Sequence, residues 1–306
     1  MGRPRDPPPD AVRTWPVTTA PADDHRVDLP DGTVVGLYEY GDPSGSPVLA
    51  FHGTPSCGAG FDWTHEPARA RGRRVLAPDR PGIGQSSGPP LTKVADYPAR
   101  VAALADALGL DRFAVLGYSG GGPYAVACAA ALGDRVTATA VVAGMGQMGV
   151  WAEANDFAKT DRQFLDLAVH HPHLSRFLLS ATAFFAKRSP GSAVKSFAKE
   201  LGESDRAVVA AQDAPPAETM RLFTRAFQHG AKGVVDDYRA IAKPWGVELG
   251  HRGPLTIFQG DADTMVPLRH SEALAEALPD ARLVVWPREG HLGAITHIDE
   301  VLDSLR

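Results

Sequence analysis

Three short stretches of this chain carry side chains suited to acyl transfer, provided that a fold brings them together: a serine in Gly117-Tyr118-Ser119-Gly120-Gly121, carboxylates in Gly260-Asp261-Ala262-Asp263, and a histidine in Gly290-His291. A serine hydroxyl is a weak nucleophile near neutral pH. It needs a base to take its proton, and the base needs an acid to orient its ring and stabilise its charged form. The G-x-S-x-G pentapeptide alone says little, because a second copy occurs at Gly84-Gln85-Ser86-Ser87-Gly88. Context separates the two. Ser119 follows the apolar run Phe113–Leu116 and opens a helical stretch, the strand–turn–helix that holds a serine in a strained, exposed elbow. Gly121 and Gly122 let that helix pack close to the strand. Ser86 lies between Pro81-Gly82-Ile83 and Pro89-Pro90, which reads as a loop with a structural serine.

The acid and the base both fall just past short apolar strands, Leu255–Gln259 and Ala281–Pro287, in the order serine, acid, histidine. Loops that leave the carboxyl ends of neighbouring strands emerge on one rim. The oxyanion of a tetrahedral intermediate needs backbone N–H donors. One is expected from Gly120, directly after the serine, and the other from Thr54 in His52-Gly53-Thr54-Pro55, which follows the strand Pro47–Phe51. His52 itself reads as a residue that orders this loop. With His291 neutral, activity is expected to rise through pH 6–7, where an unperturbed imidazole loses its proton.

The competing groups read as structural. Cys57 and Cys128 show no framework spacing and no histidine pairing, so buried thiols are expected. His170-His171-Pro172-His173 is broken by proline and reads as surface rather than metal ligands. His65, His229, His251, His270 and His297 have no partner motif. Tyr118, Met145, Met148, Trp151 and Met265 fall at strand ends or on the candidate acid's loop, and are expected to line an apolar substrate pocket.

Positioning these groups requires a scaffold. From His25 the chain alternates short, wholly apolar strands with helices, which indicates a mostly parallel sheet covered on both faces, an α/β fold. Pro30-Asp31-Gly32 reads as a hairpin turn near its start. The alternation stops near Gly144, and residues 145–243 read almost entirely as helix, with phenylalanines at 157, 164, 177, 184, 185 and 197. The expected organisation is therefore a disordered extension over 1–24, a first core part over 25–144, a helical cap or lid over 145–243, and a second core part over 244–306.

The chain has 306 residues, 44% hydrophobic and 22% charged, with a formal net charge of −5. That balance offers no basic surplus to draw phosphate backbones, so nucleic acid is not expected as a partner. The N-terminal stretch lacks the apolar region of a signal peptide and no run is long enough to span a membrane, so a cytoplasmic protein without a membrane partner is expected.

HGTP at His52–Pro55, DRPGIGQS at Asp79–Ser86, GYSGGGPYA around Ser119, GDADTMVP around Asp263 and GH at His291 resemble the α/β-hydrolase superfamily, over nearly everything from His25 to Arg306. The resemblance implies a helical cap inserted in the core, the aspartate three residues after the loop glycine, Asp263 rather than Asp261, as the acid, and no cofactor. Ser119 at the elbow disfavours the members with an aspartate nucleophile. The implied activity is cleavage of a carboxylic ester, thioester or lactone, with a small acyl compound as partner. The alternatives are a C–C bond hydrolase, a lyase or cyclase, a perhydrolase, or a binding protein that keeps the fold with little turnover.

Overall fold

The computed structural model describes residues 23–211, 215–250, 253–278 and 280–306. The expected N-terminal extension lies outside them except for its last two positions, and His251 lies outside them too. Eight strands form one sheet: β1 (Asp23–Asp28), β2 (Val34–Gly41), β3 (Ser46–Phe51), β4 (Arg73–Pro78), β5 (Phe113–Tyr118), β6 (Val136–Val142), β7 (Leu255–Gly260) and β8 (Arg282–Trp286), in the order β1-β2-β4-β3-β5-β6-β7-β8. β1 and β2 form the antiparallel hairpin read from Pro30-Asp31-Gly32, where Asp31 accepts hydrogen bonds from the backbone and hydroxyl of Thr33. β2 also pairs antiparallel with β4, and every later pairing is parallel.

Helices α1 (His65–Ala70), α2 (Tyr97–Ala107) and α3 (Gly122–Ala131) alternate with the first strands, and α10 (Leu268–Ala277), α11 (Gly293–Thr296) and α12 (Ile298–Asp303) follow β7 and β8. Between β6 and β7 lie α4 (Lys159–His170), α5 (Pro172–Arg188), α6 (Pro190–Ala198), α7 (Glu203–Ala210), α8 (Pro216–Arg225) and α9 (Lys232–Ile241). β3 to β6 are buried almost throughout, because helices cover both of their faces.

The insertion departs from the reading at its start. Residues 145–158 are not a continuous helix: a bridge pairs Met148 with Ala152, and only Ala154–Asp156 form a single tight helical turn. Ala143 and Gly149 adopt φ of 48° and 71°, which no α-helix tolerates, and glycines at 144, 146 and 149 weaken helix locally.

Sheet order decides where a site can form. β3 pairs with β4 on one side and β5 on the other, so the chain reverses its direction of travel at β3 and leaves a crevice beyond the carboxyl ends of β3 and β5. Register sets Phe51 beside Gly117, which brings the loop at His52–Thr54 next to Tyr118 and Ser119. Gly260 pairs with Trp286, and the loops leaving those residues carry Asp263 and His291. Among the described residues no helix is long and apolar enough to cross a membrane.

Candidate active site

Ser119 sits between β5 and α3 with φ of 54°, a left-handed conformation that costs a non-glycine residue energy and is stored where a tight turn demands it. The turn is this tight because α3 starts against the end of β3. A Cβ on Gly121 would lie 1.9 Å from the Phe51 carbonyl oxygen, so only glycine fits there. The loop after β3 presses on the same turn. Cβ atoms built on Gly53 and Gly120 would lie 3.2 Å from Ser119 Cβ and 3.1 Å from Thr54 N respectively. The two backbone groups expected to hold an oxyanion are therefore neighbours beside the serine.

His291 Nδ1 and Asp263 Oδ2 are 2.8 Å apart, and both residues are buried. Asp263 is fixed in turn: Oδ1 accepts the N–H groups of Met265 and Val266 at 2.8 and 2.9 Å, and Oδ2 accepts Gln259 Nε2 at 2.8 Å. With Nδ1 donating to the carboxylate, the neutral ring presents Nε2 as its free base. Burial pulls the His291 pKa down, but Asp263 as charge and hydrogen-bond partner, then Asp205 and Asp161, carry it above the ordinary 6.5. Asp261 is not part of this arrangement; its Oδ1 accepts the Arg288 N–H at 2.6 Å in an exposed loop.

Ser119 and His291 line the same cavity of about 740 Å³, although among the described residues no hydrogen bond joins them. Catalytic hydrogen bonds are commonly long or misaligned without substrate and tighten in the complex. Tyr118 braces the histidine loop: its hydroxyl donates to the His291 carbonyl at 3.1 Å and the two rings lie 5.2 Å apart.

The residues expected to line a pocket divide. Tyr118 and Met265 line the cavity, and Met145 lines a small recess beside Ser119. Met148 and Trp151 are corrections to that expectation. They pack against the core, with Trp151 edge-on to Trp245 at 5.5 Å, because the turn at Gly149 folds this segment away from the serine. Of the phenylalanines, Phe164, Phe185 and Phe197 line the cavity, and Phe177, Phe184, Phe185 and Phe197 are exposed.

His52 is held neutral. Its Nδ1 donates to the Gly53 carbonyl at 2.7 Å, its Nε2 accepts the Arg80 N–H at 3.2 Å, and burial followed by the Arg80 charge pushes its pKa down to about 3. Ser86 is similarly occupied, donating to the Asp79 carbonyl at 2.6 Å and accepting the Gly36 N–H at 2.9 Å. Cys57 and Cys128 are buried and unpaired with each other, and burial raises the Cys128 thiol well above its usual range. His171 and His173 are exposed, and the described residues hold no cluster of three or more metal-ligating side chains.

Three contributions escaped the sequence reading. The first is a buried ion pair beneath the loop at His52–Thr54. Arg80 Nε and Nη2 donate to Asp237 Oδ1 and Oδ2 at 2.8 and 2.7 Å, while the same guanidinium donates to the carbonyls of His52 and Gly53 and to Thr54 Oγ1. Thr54 Oγ1 donates to Asp237 Oδ2, and Tyr124 OH donates to Oδ1 at 2.7 Å. The second is Asp205 on α7, fully buried, whose two oxygens accept the N–H groups of His291 at 3.0 Å and Leu292 at 2.8 Å. The third is Asp161 on α4, which faces the cavity. Arg80 lies inside the quoted DRPGIGQS stretch and so had a local signal. The two aspartates on α4 and α7 had none.

Residues 46–298 match the family described as alpha/beta hydrolase fold, and the chain belongs to it. It is 27% identical over 288 residues to 2-hydroxymuconate semialdehyde hydrolase of Pseudomonas putida, a match covering 89% of each chain. It is 35% identical over 144 residues to 2-hydroxy-6-oxo-2,4-heptadienoate hydrolase of Pseudomonas putida strain F1, covering 46% of this chain and 50% of that one. Among solved structures, a bromoperoxidase from Bacillus anthracis superposes with a TM-score of 0.67 at 19% identity, over 92% of this chain and 99% of that one.

Proposed function

We propose that the protein is a serine hydrolase that cleaves a small or medium carboxylic ester, thioester or lactone through an acyl-enzyme. The observation that carries this reading is the buried His291–Asp263 pair, its Nδ1 engaged at 2.8 Å, facing the same cavity as a serine held at positive φ. His291 Nε2 takes the Ser119 proton as the hydroxyl attacks the carbonyl carbon. The N–H groups of Gly120 and Thr54 hold the resulting oxyanion. His291 then gives the proton to the leaving oxygen or sulfur, and water deprotonated by the same ring releases the acid and regenerates the serine. Asp263 keeps the tautomer and stabilises the imidazolium. No step requires a cofactor. Residues 145–243 serve as the cap that encloses the substrate. A cavity of about 740 Å³ suits a small or medium ester, being within the ordinary range of ligand pockets.

A fluorophosphonate probe tests the proposal. Rapid labelling, located on Ser119 by peptide mass spectrometry and absent from Ser119→Ala, is the expected result; a wild-type protein that stays unlabelled is a binding protein on this fold. Turnover of p-nitrophenyl acyl esters, with a trapped acyl-enzyme, then separates hydrolysis from lyase or cyclase chemistry, which leaves no acyl adduct.

A further inference from the structure

Asp161 is a half-buried carboxylate in the wall of the cavity, on the first turn of α4. One oxygen is anchored: Tyr238 OH donates to Oδ1 at 3.2 Å. Oδ2 carries no hydrogen bond among the described residues. The residue also bounds a recess of about 10 Å³ that opens beside Ser119 and Thr54 and is otherwise lined by Met145, Phe157, Leu165, Met265, Val266 and Tyr238. Such a space holds about one water-sized group, and a water or hydroxyl there needs polar partners, which the lining offers only at Ser119, Thr54, Tyr238 and Asp161. Asp161 supplies one, next to the candidate nucleophile and oxyanion donors.

The wider cavity adds a charge argument. Its walls carry the carboxylates of Asp161 and Glu200, while Glu218 and Arg221 are ion-paired with each other. Groups of one sign along a cavity wall repel a ligand of that sign. An acyl chain bearing a carboxylate is disfavoured, and one bearing a hydrogen-bond donor is favoured.

Resting on the serine-hydrolase reading, we infer that Asp161 is a specificity-determining residue that selects short acyl groups carrying a hydroxyl near the scissile carbonyl. The hydroxyl enters the recess and donates to Asp161 Oδ2, while the leaving group occupies the wide part of the cavity. Burial raises the Asp161 carboxyl to about 6, with Glu200 adding to burial and the Tyr238 hydrogen bond and His291 opposing it, so at neutral pH the group is ionised and accepts. Tyr238 acts through Asp161 as a positioning residue.

The test compares kcat/KM for three p-nitrophenyl esters of similar size, butyrate, 3-hydroxybutyrate and hemisuccinate, and for the pair propionate and lactate. The proteins are wild type, Asp161→Asn, Asp161→Leu and Tyr238→Phe, each checked by circular dichroism for an intact fold. Wild type should prefer the hydroxyacyl member of each pair by about tenfold or more, the worth of one hydrogen bond to a charged acceptor, with the hemisuccinate poorest. Asp161→Leu should abolish the preference, bringing the ratio within each pair to about one, because the acceptor of the hydroxyl is gone. Asp161→Asn should raise the hemisuccinate, and Tyr238→Phe should weaken the hydroxyl preference in part. Equal rates within each pair for wild type overturn the assignment. So does an Asp161→Leu variant that slows both members alike, which would mark a residue holding the deacylating water. If Ser119 takes the fluorophosphonate but the pairs are not distinguished, only the Asp161 assignment falls; if Ser119 is unlabelled and no ester turns over, the hydrolase reading falls with it.

Discussion

Ser119, His291 and Asp263 differ in how each is held. The serine is set by backbone geometry, the aspartate by three hydrogen-bond donors, and the histidine by one carboxylate below and one carboxylate behind its own N–H. Removing the hydroxyl should be the most damaging single change. Ser119→Ala is expected to lower kcat by about 10⁴–10⁶ with the fold unchanged, read by steady-state kinetics beside a melting curve. On the proposed mechanism the base works only when neutral, and its pKa is raised, so kcat/KM should climb with pH through a midpoint above 6.5. Asp263→Asn removes the first-named charge responsible, so the midpoint should move to lower pH, with kcat reduced by about 10⁴ as the tautomer is lost. The turn at Ser119 and the loops after β3 and β8 were legible as places in the fold, because neighbours in sequence set them. The choice of Asp263 over Asp261 was not contained in the residues and came from resemblance; the geometry that distinguishes them is a hydrogen bond spanning 28 positions.

Two helices of the insertion reach into the core loops. α7 offers Asp205 to the backbone of His291 and Leu292, and α9 offers Asp237 to Arg80 below the loop at His52–Thr54. Asp205→Ala strands two buried donors, so a stability loss of about 2–4 kcal/mol is expected in urea titration, along with a fall in kcat as the histidine loop loosens. Asp237→Ala leaves Arg80 charged and buried without its partner, and a loss of about 3–5 kcal/mol is expected from the same measurement. These connections were illegible because no pattern marks them. Asp237 stands beside Asp236, which is spent on an ordinary i,i+4 pair with Lys232 at 2.6 Å, and nothing local tells which of the two turns inward. The non-helical segment at 145–158 was misread for the opposite reason. Its hydrophobic residues were counted, while the conformational demand of Ala143 and Gly149 appears only when φ is known.

At the scale of the whole chain, helices that look like a separate layer in sequence share buried polar groups with the sheet. Gly233 of α9 meets Gly82 so closely that a Cβ on it would lie 2.0 Å from the Gly82 carbonyl oxygen. The insertion and core should therefore unfold as one unit. Tryptophan fluorescence, which reports on Trp151 and Trp245 in contact with each other and on Trp286 in β8, should give the same urea midpoint as far-UV circular dichroism; two separated midpoints would show independent layers. Those attachments also limit motion. A layer tied at α7 and α9 cannot be displaced far without stripping buried carboxylates of their partners. Phe185 and Phe197 line the cavity and are 65% and 41% exposed, so greasy side chains stand where the cavity meets solvent.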